Sequence, residues 1–186
     1  MTLPPEPPEP ASRHPFDLAL EGFRLGESDT VLRLDGPDEF ARATLALVAQ
    51  TRRELCIVSP DFEPERFNNA DFASALTRLA RRSRNSDIRI LVGDPTVAVR
   101  WGHKVVALSH RLSSTLRIRQ LDEEDFDPQQ AWMVADDIGL LRRDNAEVLK
   151  GSLVAHAIPH GQRASEKFTQ WWDRSREIAD FRQLHI

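Results

Sequence analysis

The residues in this sequence best suited to chemistry are histidines, and two of them lie on one predicted helix. His103 and His110 are seven residues apart, which puts them on the same helical face, beside Lys104 and Arg111. Imidazole and cationic side chains grouped in this way suit a phosphate. Two helical turns separate the backbones by about 10 Å, which is long for a single metal ion. We therefore favour ordinary surface histidines over a metal site.

A second pair of histidines follows the last predicted strand. His156 and His160 could join Asp136, Asp137 and Glu147 across a hairpin. Such a group could hold a metal ion or transfer protons. Its spacing matches no known ligand signature, so no metal site is expected.

The remaining motifs point away from cofactors. The acidic run 122–127 lacks the register of a calcium-binding loop. The chain contains neither a Walker loop nor a G-x-G-x-x-G turn. Cys56, the single cysteine, excludes an intramolecular disulfide and is predicted to be a small buried side chain in a strand. We expect no cofactor.

Charge is distributed unevenly along the chain. The net charge of the chain is −4, yet the segment 77–119 contains ten Lys and Arg residues and only two acidic residues. A basic surface of this kind can bind nucleic acid, although charges spread over helices and strands also suit a solvated surface. The residues that would contact phosphate are Arg81, Arg82, Arg84, Arg100, His103, Lys104, His110 and Arg111.

Length and composition favour one domain. The 186 residues include 40% hydrophobic side chains, enough for a single packed core. Six of the twelve prolines fall in the first fifteen residues, which predicts a disordered tail over 1–15 and one domain over 16–186. No apolar stretch reaches the ~18 residues of a membrane helix, and no signal peptide is evident. A cytoplasmic protein without a membrane partner is expected.

Apolar periodicity predicts strands and helices in alternation over most of the chain. Strands are predicted at Thr30–Leu34, Arg53–Ser59, Asp87–Val92 and Leu116–Arg119, and later at 131–135, 138–141 and 152–157. Helices are predicted over about fourteen residues from Pro37, around 72–80, and from Ser165 to Ile178, with a further helix that follows Gly93-Asp94-Pro95 and carries Trp101, Val105, Leu108 and Leu112. This order predicts an α/β fold, with a mostly parallel mixed sheet covered by helices on both faces.

The order of these elements and their apolar residues resembles one unit of the phospholipase D superfamily. The resemblance extends from about Thr30 to Ser175 and rests on the runs Leu55-Cys56-Ile57-Val58-Ser59-Pro60, Ile88-Arg89-Ile90-Leu91-Val92 and Leu116-Arg117-Ile118-Arg119, followed by a hairpin with Asp at its turn. Active members carry His-x-Lys-x-x-x-x-Asp before the hairpin and Gly-Ser six residues later. The histidine attacks phosphorus, the lysine binds the charged oxygens and the aspartate supports the histidine. Two units face each other, so the resemblance implies a homodimer.

This chain departs from that motif. Asp136 aligned with the motif's aspartate puts Gln129 at the histidine and Ala131 at the lysine, with Arg143-Asp144 at Gly-Ser. A shift to Asp137 brings Gln130 and Trp132, which serve no better. Glutamine is no nucleophile for phosphoryl transfer, and alanine cannot hold a phosphate. The resemblance therefore implies a catalytically inactive unit.

The sequence is also similar to a proteobacterial domain found alone or attached to GNAT-type acetyltransferases. It lacks the Gln/Arg-x-x-Gly-x-Gly/Ala loop that binds acetyl-coenzyme A, so acetyl transfer is not expected. We expect a non-catalytic binding or adaptor module in the bacterial cytoplasm.

Three alternatives stay open at this point. The basic segment 77–119 could bind nucleic acid, and a residual phosphodiesterase could use His103 or His156 in a migrated site. A protein adaptor could use the Pro-rich tail and whichever of Trp171 and Trp172 is exposed.

Overall fold

The computed structural model describes residues 14–125, 127, 129–145 and 149–183. The strands are β1 (Val31–Asp35), β2 (Glu54–Ser59), β3 (Asp87–Val92), β4 (Leu116–Gln120), β5 (Trp132–Ala135), β6 (Gly139–Asn145), β7 (Lys150–Val154) and β8 (Arg176–Glu177). The helices are α1 (Pro15–Glu21), α2 (Pro37–Gln50), α3 (Pro64–Phe67), α4 (Ala70–Arg82), α5 (Thr96–Trp101), α6 (Lys104–Arg111) and α7 (His160–Arg174), followed by a 3-10 turn over Ala179–Gln183.

The strands form one sheet in the order β1-β7-β6-β5-β2-β3-β4-β8. Only the pairings β2–β3 and β3–β4 are parallel, and the other five are antiparallel. The α/β class is confirmed, but the prediction of a mostly parallel sheet is wrong. The physical reason is that only the helical crossovers give parallel neighbours, whereas β5, β6 and β7 are consecutive strands that pair antiparallel with one another.

Helices cover both faces of the sheet, as predicted. Alternate side chains of β2 point to opposite faces: Leu55 and Ile57 join the core under α2, α4 and α6, while Cys56 and Val58 join the core under α7. Both sets are nearly fully buried. The central strand is therefore apolar on both faces, which explains its continuous apolar sequence.

Two helix predictions show how local sequence acts. The fourteen-residue helix from Pro37 is confirmed, with proline in its first turn. The helix predicted after Gly93-Asp94-Pro95 is instead two helices, α5 and α6. Gly102 has φ +71° and ends α5. His103 then caps α6, its Nδ1 accepting the backbone N–H of Val105 at 3.2 Å.

The predicted tail lies mostly outside the described residues, which begin at position 14. Helix α1 starts at Pro15, and Phe16 is buried against the core. Among the described helices, none combines the length and the apolar character needed to cross a bilayer.

Candidate functional site

The positions aligned with the catalytic histidine and lysine lie just before β5, beside the carboxyl end of β2, because the two strands are antiparallel. Gln129 is exposed, and its backbone N–H donates to Asp127 Oδ1 at 2.9 Å. Ala131 is 1% exposed, and its carbonyl accepts the backbone N–H of Arg143 at 2.9 Å. An exposed amide and a buried methyl group thus occupy these positions, and neither can attack phosphorus or neutralise its oxygens.

Arg143, aligned with the glycine of Gly-Ser, brings a large side chain where glycine has none. Its Nη1 lies 2.7 Å from Glu63 Oε1, and Glu63 Oε2 lies 3.0 Å from Nη1 of Arg66. The three side chains are 9%, 15% and 7% exposed. The Arg66 guanidinium also lies over the rings of Phe40 and Phe67, at 5.4 and 4.8 Å from their centroids. A packed ionic network therefore fills the space beside the aligned motif.

The loop after β2 holds this network in place. Phe62 has φ +56°, an unfavourable conformation for a bulky residue, and is fully buried. Its backbone N–H donates to Ser59 Oγ at 3.0 Å. Burial, together with the charge of Glu63, raises the pKa of Asp61 in the same loop. The Asp61 carboxyl thus holds its proton more readily than an ordinary aspartate.

A lysine reaches the aligned motif from another element. Lys167 of α7 places Nζ 3.1 Å from Gln130 Oε1 and 4.4 Å from the ring centroid of Trp171. Gln130 Nε2 in turn donates to Asp127 Oδ2 at 3.1 Å. Sequence reasoning missed Lys167, since 37 residues separate it from Gln130 and no motif links the two.

Asp136 lies at the far end of β5 from Gln129, about 13 Å of strand away. Its carboxylate accepts three backbone N–H groups at the start of β2: Arg52 at 2.7 Å, Arg53 at 2.9 Å and Glu54 at 2.8 Å. Asp136 is therefore not placed to support a side chain at position 129. Asp136 instead joins the β5–β6 turn to β2.

The structure divides the basic segment 77–119 between two ends of the helix layer. The backbone N–H of Lys104 donates to Asn68 Oδ1 at 2.8 Å, which sets the start of α6 beside the start of α4. Arg81 and Arg82 occupy the last turn of α4, about 18 Å away along its axis. The amino end holds Arg100, His103 and Lys104, and the carboxyl end holds Arg81, Arg82, Arg84, His110 and Arg111. The candidate phosphate-contacting residues of this segment therefore lie in two groups and not on one continuous surface.

The two histidines of this segment are not equivalent surface groups. His103 is 5% exposed and stacks on Phe62 with ring centroids 4.0 Å apart. Burial lowers the pKa of His103 from 6.5 to about 4, outweighing a hydrogen bond to the Phe62 backbone, and Lys104 lowers it further. His103 is therefore a neutral structural side chain, which corrects its assignment to a phosphate surface. His110 is half-buried and lines a cavity of about 260 Å³ beside Arg117.

Neither tryptophan of α7 forms an exposed partner surface. Trp171 and Trp172 are 6% and 7% exposed and pack with Trp132 and Phe168. Three guanidinium groups lie near the Trp172 ring centroid, at 5.8, 5.7 and 4.8 Å: Arg89, Arg117 and Arg119. The sequence expectation of one exposed tryptophan is corrected, because the sheet and its arginines cover both rings.

His156 and His160 are exposed near the β5–β6 turn, since the backbone N–H of Ala157 donates to the Ile138 carbonyl at 2.7 Å. Glu147, the third predicted partner, lies outside the described residues. Among the residues that the structure describes, no group of three or more His, Cys, Asp or Glu side chains is placed to hold a metal ion.

A family model, described as a domain of unknown function (DUF7931), matches residues 36–184. The chain belongs to this family. The match covers every strand except β1 and includes the 3-10 turn. A comparison with curated proteins finds no match.

Solved structures share the fold at low sequence identity. NucT from Helicobacter pylori aligns with a TM-score of 0.59 and 13% identity, over 80% of this chain and 98% of that one. Nuc from Salmonella typhimurium, a phospholipase D family member, gives 0.57 and 13%, over 80% and 97%. TrmBL2, an archaeal chromatin protein described as binding DNA in a novel mode, gives 0.61 and 12%, over 88% of this chain and 59% of that one. The phospholipase D-like fold is confirmed.

Proposed function

We propose that this protein is a non-catalytic binding module built on a phospholipase D-like fold. The observation that carries the proposal is the replacement of the reacting groups: Gln129 and a buried Ala131 occupy the histidine and lysine positions. Arg143 adds an ion pair to Glu63 where the family motif has glycine. A fold that keeps its packing and loses its nucleophile retains surfaces for binding and no path for phosphoryl transfer.

The positions of His103 and His156 favour a non-catalytic module over a residual phosphodiesterase. His103 is buried against Phe62 with its pKa lowered to about 4. His156 follows β7, near the β5–β6 turn, at the opposite end of β5 from Gln129. Neither histidine therefore takes the place of Gln129 in the aligned motif.

A turnover assay tests this proposal. Purified protein is incubated with bis-p-nitrophenyl phosphate, with single-stranded and duplex DNA and with phosphatidylcholine vesicles, with and without divalent cations. We expect no hydrolysis above a buffer control for any of these substrates. His103→Ala and His156→Ala are assayed in parallel. Hydrolysis that disappears in one of these variants would overturn the proposal and establish the migrated site.

Assembly is a separate proposal that follows from the family resemblance. Phospholipase D-like units act in facing pairs, so we propose a homodimer in the bacterial cytoplasm. Light scattering coupled to size exclusion distinguishes about 21 kDa from twice that mass. A monomer at micromolar concentration would contradict the dimer without affecting the proposed loss of catalysis.

A further inference from the structure

We propose that the end of the sheet where β2 and β3 begin binds the phosphate backbone of double-stranded nucleic acid. This surface, the arginine end, consists of Arg52, Arg53, Arg81, Arg82 and Arg84, all exposed. The inference rests on the proposed binding function, because it names the ligand of the module. It differs from the basic segment of the sequence, since it adds Arg52 and Arg53 and leaves out Arg100 and Lys104.

Hydrogen bonds to the backbone bring the arginine end together. Arg82 Nη1 donates to the Thr51 carbonyl at 2.6 Å, and its Nη2 donates to the Ala49 carbonyl at 3.2 Å. These bonds tie the last turn of α4 to the end of α2, one residue before Arg52. The Asp87 backbone N–H donates to the Arg53 carbonyl at 2.9 Å, which fixes the segment that carries Arg84 next to Arg53.

The backbone of the segment that carries Arg52 and Arg53 is fixed by hydrogen bonds to the β5–β6 turn. Asp136 accepts the backbone N–H groups of both residues, at 2.7 and 2.9 Å. Their main chain is thereby fixed, while the Arg52 side chain stays 78% exposed. A preorganised backbone with exposed guanidinium groups lowers the ordering cost of binding a polyanion.

Several acidic groups lie nearby, since Glu27, Glu54, Asp136 and Asp137 line the same cavity as Arg52 and Arg53. Asp87 pairs with Arg89 and Arg117, at 3.2 and 2.5 Å, and Glu54 pairs with Arg89 at 2.8 Å. Glu27 lies 3.6 Å from Arg52, and both side chains are exposed, so water and salt screen this pair.

The other three guanidinium groups that could contact phosphate have no acidic partner. Within the described ranges, Arg53, Arg81 and Arg84 form no ion pair. The arginine end therefore carries cations that a phosphate chain can neutralise, in a protein whose net charge is −4.

Among the side chains that the structure describes, the exposed ones at the arginine end include no aromatic ring on which a base could stack, which favours a duplex over a single strand. The exposed large hydrophobic side chains of the described residues are aliphatic: Leu18, Val31, Val97 and Ile158. Proteins that hold single strands combine a basic groove with aromatic rings on which bases stack. Guanidinium groups without such rings suit the paired backbone of a duplex, which is bound through its charge alone.

The test is the anisotropy of a labelled 20-base-pair duplex, titrated with the full chain at salt concentrations from 50 to 200 mM. Four phosphate contacts, by Arg52, Arg53, Arg81 and Arg84, predict a log-log salt slope of about −3.6, equal to a loss of about 150-fold in affinity over this range. Arg81→Gln/Arg84→Gln is expected to weaken binding at least about tenfold at 100 mM and to reduce the slope by about 2. Arg82 is left intact because it holds the backbone.

The matched control is Arg100→Gln/Lys104→Gln, which removes the same charge from the other end of the helix layer. Its affinity should stay within about twofold of the parent protein. Equal losses in both double variants would overturn the site, and so would the absence of duplex binding at 50 mM. Tighter binding of the single strand, or of a poly-glutamate peptide, would overturn the assigned ligand. The turnover assay is independent, so failure of the arginine end leaves the proposed non-catalytic function standing.

Discussion

The Asp136 carboxylate accepts the backbone N–H of Arg53 at 2.9 Å, across 83 residues of sequence. Two neighbouring N–H groups, of Arg52 and Glu54, complete the set of donors. The β5–β6 turn and the start of β2 are thereby one structural unit. The residue that aligns with the motif's aspartate is thus a support for the arginine end rather than for a reacting group.

Replacing this carboxylate should destabilise the fold. Asp136→Asn keeps one acceptor oxygen and tolerates φ +51°, but loses the charge and the second acceptor. We expect the free energy of unfolding to fall by about 1–3 kcal/mol, as measured by urea denaturation. Asp137→Asn is the control, because Asp137 also has a positive φ, +60°, while the three N–H groups at the start of β2 donate to Asp136 instead; it should change the free energy of unfolding by less than about 0.5 kcal/mol. Equal effects at both positions would contradict this account.

The ionic network beside Ala131 predicts a second effect on stability. Glu63→Gln leaves the guanidinium groups of Arg66 and Arg143 close together without their shared carboxylate. We expect a loss of about 3 kcal/mol, because removing one partner of a buried pair leaves uncompensated charge. Glu65→Gln, on the exposed side of the same short helix, should be close to neutral. Thermal unfolding of both variants provides the comparison, and a neutral Glu63→Gln would show that the network is dispensable.

His103 predicts a loss of stability in mild acid. Burial lowers its pKa from 6.5 to about 4 in the folded state, so between these values the unfolded chain binds the proton and the folded chain does not. Stability therefore falls as the pH drops from about 6.5 to about 4, by up to about 3 kcal/mol from this group. Urea denaturation from pH 4.5 to 7.5 measures the slope.

His103→Asn separates this effect from general acid unfolding. Asparagine keeps a capping acceptor for the Val105 N–H and has no titration in this range. The variant should be less stable at pH 7, since it loses the stacking on Phe62, and should show a shallower decline towards pH 4.5. A decline as steep as that of the parent protein would assign the pH dependence to other groups.

The burial of Trp172 predicts a structural role for this residue. Trp172→Leu removes the ring that lies near Arg89, Arg117 and Arg119 and against Phe168. We expect the free energy of unfolding to fall by about 2–4 kcal/mol, from lost packing and cation–π contacts. Gln170→Ala, on the exposed side of α7, should be nearly neutral. Unchanged stability with a lost binding partner would instead restore Trp172 as a partner surface.

The local elements follow from sequence because backbone periodicity is a local property. The strand Asp87–Val92 and the fourteen-residue helix from Pro37 have the bounds expected from their apolar spacing and helix start. The helix break at Gly102 shows the limit of this method, since the apolar spacing continues through a residue whose φ ends α5. Apolar spacing also could not predict how many strand pairs are parallel, because the direction of pairing depends on which strands become neighbours in the folded sheet.

The sequence by itself determined what is missing from the aligned motif, since a glutamine at 129 and an alanine at 131 lack a nucleophile and a cation in any conformation. The tertiary structure alone decided that Arg52 and Arg53 lie beside Arg81 and Arg84, and that His103 is buried. Burial and charge neighbourhood depend on segments that are distant in the chain and meet only when the sheet and helices pack. Residue chemistry is carried by the sequence, whereas proximity and desolvation arise from the fold.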